Sequence, residues 1–477
     1  MARLSRPRIH FFHAGSWIND PNGLVFADGV YHLFYQLNPE ATKWDNIHWG
    51  HAVSKDAVNW SVDRPALIPD EQTGLPFSGS AVFTPFSGDG AAPAELLALY
   101  TRSLPMPEGN FEEQYLARFD TRSNRFEPVQ AGPVIANPGL ADFRDPKLWR
   151  LGDQWYVVVS AGDHLRFFQS GDLTNWTETS RFYDDVERPE GVWECPDLLR
   201  FRTVNGGQVD LLIVSVAVHG SAQSSNVLYY VGDFDGQQFT PKPGTSYRPV
   251  DYGKDFYAVQ SWSGLSSDSP LATGWLGNWA YSHDLKGDRF RGCLSIPRTL
   301  ELQRNGGSWQ LVQNPVVEIS SLYQPPATPI RSKGSRTEWE LDADTPFLMR
   351  GSWLVREEGS LEIAIGDQED NWFLVSFSFK GTTGAVVLDR RQLWDTGKEE
   401  EGLTRFVVER SRELRPVDVR LFVDTCCVEL FLDGGKTTAT ELAPWHSGER
   451  RIVISGVSKG KGGATWEVIP LTSMSIQ

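Results

Sequence analysis

The stretch "WINDPNGLVFADGVYHLFYQ" (residues 17–36) decides how this chain is read. Asp20, Pro21, Asn22 and Gly23 are turn formers. Beyond them come two short runs rich in β-branched and aromatic residues, joined by Asp28-Gly29, which is the signature of paired strands. A second stretch, "RDPKLWRLGDQWYVVV" (144–159), repeats the order: Asp-Pro, short strand, Gly-Asp turn, second strand. Proline restricts the residue before it, so Asp20 and Asp145 are both held in a defined backbone. Asp-Pro also starts turns that do no chemistry. The repetition asks which of the two these are.

Working outward, "FSGSAVF", "ECPDLLRF" and "DFYAVQSW" open further units at matching places. Taking Asp20, Ser78, Asp145, Glu194 and Asp255 as markers, the units lie roughly 50 to 70 residues apart. Their distal ends repeat too. "SKDAVNW" (54–60) matches "SGDLTNW" (170–176), and "FDTRSNRFEP" (119–128) resembles "FDGQQFTP" (234–241). Strand signals dominate and long amphipathic helices are scarce. The expected fold is all-β, a five-bladed β-propeller. In a propeller the first strand of each blade lines the axis, so acids far apart in sequence converge at one mouth.

The texture changes at "SSLYQPPATPIRSKGSR" (320–336). Beyond it about eight alternating strands predict a C-terminal β-sandwich. The expected division is a propeller over 1–319, a linker over 320–336 and a sandwich over 337–477.

With 477 residues the chain is long for one core. Its net charge of −16 argues against nucleic acid and suits a neutral substrate. No apolar run is long enough to span a bilayer. The 18 tryptophans suit either β-rich cores or sugar-binding surfaces. Four cysteines, an adjacent pair (Cys426, Cys427) and two distant singles (Cys195, Cys293), form neither a disulfide framework nor a zinc pattern. His10, His13, His48 and His51 lack ligand spacing, so neither metal nor cofactor is expected. The opening "MARLSRPRIHFF" has no apolar signal core, so the expectation is cytoplasmic; a trimmed secreted chain would read the same way.

Three acids stand out as chemistry. Cleaving a glycosidic bond takes one carboxylic acid to protonate the leaving oxygen and one carboxylate across the sugar. Trp193 beside Glu194 is placed to desolvate it and raise its pKa, as a general acid requires. Asp20 and Asp145 supply the other carboxylates. Read singly, Arg144 beside Asp145 fits a surface ion pair, Gln36 a strand end and Trp44 a core residue.

Taken together, "WINDPNG", "FSGSAV", "FRDPK", "WECPD" and "NWAY", with "FYQLNP" and "WGHAVSKDAVNW", resemble glycoside hydrolase family 32, the invertase, inulinase and levanase group. The resemblance is strong over 10–300 and weaker over 335–477, where "DTCCVELFLDGG" resembles the family's sandwich motif. It implies a propeller followed by a sandwich. It implies Asp20 as nucleophile, Glu194 as acid/base and Asp145 as transition-state stabiliser. It also implies that Asn19, Gln36, Trp44, Phe77, Ser78 and Arg144 line the fructose subsite, with Trp279 near the rim and Tyr257 a further candidate. Many relatives have Trp where this chain has Phe77. "EEQYLARF" (112–119) is less typical of the family, and loops there shape the acceptor side. The implied activity is retaining release of terminal fructose from sucrose or fructans, by a monomer or homodimer. The alternatives are a fructosyltransferase with the same triad, a non-catalytic carbohydrate-binding protein, and a propeller glycosidase for arabinose or xylose.

Overall fold

The computed structural model describes residues 3–477 except 71–73, 85–93, 108, 185–186, 204–205, 219–224, 267–269, 288, 306, 334, 356, 367–370, 395–398, 410–415, 446–448 and 459–463. The described residues are all-β apart from two short 3-10 turns, Val317–Leu322 and Glu399–Gly402. The N-terminal part folds as five successive antiparallel sheets of four or five strands. Their first strands are Trp17–Ala27, Leu75–Thr84, Arg144–Leu151, Val192–Arg202 and Tyr257–Ser261. Each packs beside the first strand of the next sheet, and the fifth packs beside the first, closing a ring.

Trp17–Ala27 and Tyr257–Ser261 are buried almost end to end and the other first strands through their middle residues, because both faces pack against neighbouring sheets. Hence they read as near-continuous apolar runs rather than as alternating ones. Trp17, Trp49, Trp193 and Trp275 are among the largest fully buried side chains, so most of the tryptophan content that caught the eye is core.

All five first strands carry an irregularity at the same place. Pairing jumps from Ile18↔Leu37 to Pro21↔Tyr35, from Pro76↔Arg102 to Gly79↔Tyr100, and from Arg144↔Ser160 to Lys147↔Val158. It jumps likewise from Glu194↔Ser215 to Asp197↔Ile213 and from Tyr257↔Trp275 to Gln260↔Thr273. In each case two residues oppose one, which is a β-bulge. A bulge leaves the extra residue unpaired and re-aims its side chain, and bulges gather beside active sites. The bulged pairs are Asn19-Asp20, Phe77-Ser78, Asp145-Pro146, Cys195-Pro196 and Ala258-Val259. The true structural equivalents of Asp20 and Ser78 are therefore Pro146, Pro196 and Val259. The repeat markers at Asp145, Glu194 and Asp255 were displaced by one to four residues, because spacing alone does not locate a bulge.

Among the described residues the C-terminal part has twelve strands rather than about eight, in a seven-stranded and a five-stranded sheet. Two of them, Arg331–Lys333 and Arg336–Asp342, begin within the stretch read as linker and pair with each other. Burial alternates along Trp372–Lys380 and Leu403–Glu409, so one face of this sheet is wet. The other face meets the second sheet over a shared core that includes Phe347, Ile363, Val375, Val419, Ile452 and Val468.

Candidate active site

The bulges bring all ten candidate residues to one pocket. Asn19, Asp20, Gln36, Trp44, Phe77, Ser78, Arg144, Asp145, Glu194 and Trp279 line a cavity of about 230 Å³, together with His283. The first bulge explains two of them at once: Asn19 and Asp20 oppose Gln36, which faces the same space.

The ring's repetition also explains the hydrogen bonds, because equivalent positions on adjacent sheets touch. At the second bulge position, Ser78 Oγ donates to Asp20 Oδ2 at 2.6 Å. At the first, the Cys195 backbone N–H donates to Asp145 Oδ2 at 3.0 Å. Just before the bulge, Arg144 donates to Glu194 Oε1 through Nε at 3.2 Å and Nη2 at 3.0 Å, and Tyr257 OH donates to Oε2 at 2.6 Å. Asn19 Nδ2 donates to Asp20 Oδ1 at 3.0 Å, and its own Oδ1 accepts from Trp17 Nε1. Cys195 Sγ lies 3.5 Å from Asp20 Oδ2 and 3.6 Å from Asp145 Oδ2, between the two carboxylates.

Asp145 and Cys195 have φ of 62° and 47°, in the left-handed region that non-glycine residues avoid. Such a conformation costs on the order of 1–3 kcal/mol. Here the bulge imposes it, since Ala258 at the equivalent position has φ of 51° with no proline after it, and Asp145 lines the pocket.

The electrostatics follow from burial and crowding. Burial raises the Asp20 carboxyl, opposed by the Ser78 and Asn19 donors and reinforced by the charge of Glu194. Burial raises Asp145 to about 8; Arg144 opposes this, while the charges of Glu194 and Asp20 add to it. Three carboxylates thus crowd one pocket, and the guanidinium of Arg144 bonds Glu194 while its charge acts on Asp145.

Three more residues belong to the site. Glu112, almost fully buried, takes the Phe143 N–H at 2.8 Å and Arg144 Nη1 at 3.1 Å, and so splits Arg144 between itself and Glu194. It lies in "EEQYLARF", where sequence alone does not separate it from half-buried Glu113. Tyr257 sits behind Glu194 instead of lining the pocket. His283 stacks on Trp17, with ring centroids 5.0 Å apart, and nothing in its local sequence marks it. At the mouth, Trp44 is 37% exposed and meets Phe77 edge to face at 5.9 Å. The four histidines considered for a metal each have a different partner: Asp424 and Glu429 for His10, Ser16 for His13, the Asn46 carbonyl for His48 and His32 for His51.

The model of the glycosyl hydrolases family 32 N-terminal domain matches residues 10–315, and that of the family's C-terminal domain matches 311–450. The chain belongs to glycosyl hydrolases family 32. It is an enzyme of the β-fructofuranosidase type. It is 35% identical over 463 residues to a levanase of Bacillus subtilis (strain 168), spanning 92% of this chain and 66% of the levanase. It is 32% identical over 486 residues to an extracellular exo-inulinase of Aspergillus awamori, spanning 91% of this chain and 88% of that protein. The crystal structure of exo-inulinase from Aspergillus awamori superposes with a TM-score of 0.84 at 27% identity, covering 98% of each chain. For a family 32 enzyme, a pocket built of three acids, an arginine and aromatic walls has the composition that a small neutral sugar requires.

Proposed function

We propose that this family 32 enzyme is a retaining β-fructofuranosidase that releases terminal fructose from sucrose and fructans, with Asp20, Asp145 and Glu194 as its catalytic acids. One observation carries the reading: Asp20 and Glu194, 174 residues apart in sequence, line one pocket with hydrogen-bond donors fixing both carboxylate oxygens of each. Asp20 attacks the anomeric carbon, forming a C–O bond as the glycosidic bond breaks. Glu194 gives its proton to the departing oxygen. Glu194 then takes a proton from water, which attacks the same carbon and frees Asp20. Two displacements retain configuration.

Asp145 sits between them and accepts hydrogen bonds from fructose hydroxyls as positive charge grows on the ring. Asn19, Gln36, Ser78 and Arg144 bind the remaining hydroxyls, while Trp44, Phe77 and Trp279 give apolar faces. The levanase and exo-inulinase relatives support fructans as substrates, and the narrow volume supports one terminal residue at a time. We also take the five sheets as the blades of a propeller, supported by their closed order. The unit boundaries we adopt are 1–319 for the catalytic unit and 337–477 for a sandwich, with 320–336 as a connection whose last part, from Arg331, already pairs into the sandwich.

The test is incubation with concentrated sucrose, following glucose, fructose and oligosaccharides. Equal glucose and fructose supports hydrolysis. Glucose in excess with trisaccharides appearing means that a sugar replaces water as acceptor. No release from sucrose, inulin or levan by folded protein overturns the reading. For Glu194→Gln, activity falls least on substrates with good leaving groups; equal losses across leaving groups would remove Glu194 from the acid role.

A further inference from the structure

Cys293 and the pair Cys426-Cys427 are distant in sequence, and the fold gathers their three Sγ atoms within 4.8 Å of one another. Cys293 starts the short strand Cys293–Leu294 beside the fifth sheet, and Cys427 opens the strand Cys427–Leu432 of the five-stranded C-terminal sheet. The cluster therefore straddles the seam between the two parts of the molecule. All three are free thiols, each at most 1% exposed. Leu276, Phe290, Trp394 and Leu442 share their apolar cluster. Their nearest polar neighbour is His10, whose Nδ1 is 3.5 Å from Cys427 Sγ. None of the three lines the catalytic pocket.

We propose that this cluster is a three-thiolate site for a soft monovalent d10 cation, Cu(I), which clips the C-terminal sheets to the ring. Sulfur ligands select soft ions. A metal–sulfur bond of about 2.3 Å places three sulfurs around a trigonal ion roughly 4 Å apart, so the cluster contracts little to receive one. Zinc in a structural site takes four ligands. The neighbouring donors that could ligate beside Cys427 are His10 and Asp424, and they are already engaged: His10 Nδ1 with Asp424 and Nε2 with Glu429, each at 2.8 Å, and Asp424 also with the Arg8 and Ile9 N–H groups. Three sulfurs and no free fourth donor favour a three-coordinate ion. Each ligating thiol gives its proton to solvent and the copper stays Cu(I), so no oxidant or reductant is needed.

The test uses the purified full chain under anaerobic conditions, titrated with Cu(I) against a bathocuproine competitor. In parallel, the metal content of protein expressed with added copper or added zinc is measured. The expected result is one copper per chain, three sulfur neighbours by X-ray absorption, and a melting temperature that rises with free Cu(I). Cys293→Ser abolishes tight uptake, whereas Cys195→Ser, outside the cluster, retains it. Copper below a tenth of an equivalent, with four free thiols titrating after denaturation, overturns the proposal. So does one equivalent of zinc with a nitrogen neighbour, or a disulfide among the three. The measurement on the unaltered chain decides the matter whether or not the serine variants fold.

Discussion

Two buried charge clusters in this molecule are built in opposite ways. At the mouth of the ring, Glu194, Glu112 and Asp142 compete for the guanidinium of Arg144, while Asp20 takes its donors from Asn19 and Ser78 and Asp145 from the Cys195 N–H. At the seam between the ring and the C-terminal sheets, each of five buried acids pairs with at least one of three cations. Arg298 Nη1 bonds Asp251 at 2.9 Å and Nη2 bonds Glu429 at 2.5 Å, with its guanidinium 4.3 Å above the Phe256 ring. His10 bridges Asp424 and Glu429. Arg390 bonds Asp255 and pairs with Glu441.

The carboxyl groups register the difference. Burial raises Asp424 and Glu429, but His10 and Arg298 overcome it and hold both below their ordinary range. Asp20 and Asp145, equally buried, end above it. Burial disfavours His10's charge, yet Asp424 and Glu429 carry the ring up to about 10. Glu441, pushed up to about 7 by burial and the charge of Asp255 despite Arg390, is the exception at the seam; otherwise burial with unequal compensation separates carboxyls held ionised from carboxyls pushed toward the protonated form.

The sharpest way to break this comparison is to remove one acid from the mouth. Asp20→Ala is expected to lower kcat on sucrose by at least about 10⁴-fold, with urea stability unchanged or increased. An active, folded Asp20→Ala protein would end its assignment as nucleophile. At the seam the signs reverse. Arg298→Ala leaves Asp251 and Glu429 buried without their cation, a loss of about 3–5 kcal/mol. Denaturant titration reads that loss, while kcat of the folded fraction stays within about twofold.

Acid and base then sharpen the contrast. Asp145, raised in the folded chain, weakens stability progressively as pH climbs from the ordinary carboxylate range toward 8. Asp145→Asn therefore gains a few kcal/mol over the parent at pH 8 and nothing at pH 4, while losing catalysis. His10, also raised, weakens stability in the same direction, but through the loss of a favourable pairing rather than a growing cost. Its contribution is complete below the ordinary histidine pKa and disappears as pH rises through about 10. A melting curve of His10→Gln against pH should converge with that of the parent above that point. The smallest effect is expected from Glu112→Gln. With Glu112 neutral, Arg144 loses an ion-pair partner and turns more fully to Glu194, so proton delivery slows and kcat falls about tenfold, with the melting temperature little changed. An unchanged kcat would mean that Glu112 supports the Phe143 backbone and nothing more.

Much of the site was legible because its residues sit in short motifs at blade-like spacing: Asn19-Asp20, Phe77-Ser78, Arg144-Asp145 and Glu194. The all-β class was legible from apolar and aromatic runs between Gly and Asp turns. What the linear text hides is register. Glu112 and Glu113 look alike, and one step along a strand sends the first to Arg144 and the second toward the surface. Tyr257 fits an axial strand, but its bond to Glu194 depends on the bulge beside it. Cys293 and Cys426-Cys427 looked unrelated because the seam that joins them involves elements 133 positions apart. The bulges themselves have no composition of their own: Asn-Asp, Phe-Ser, Asp-Pro, Cys-Pro and Ala-Val all occupy the same structural slot.

That indifference has a consequence for how such an enzyme changes. A bulge is one surplus residue in an otherwise regular ladder, so the identity of its side chain is largely decoupled from the pairing on either side. The ring behaves as a frame with five interchangeable mounts at its mouth, three of which hold the groups just described. Chemistry can be rewritten at a mount while the frame is inherited intact. Deleting the surplus residue would straighten the strand, preserve the sheet and turn the mount away from the pocket.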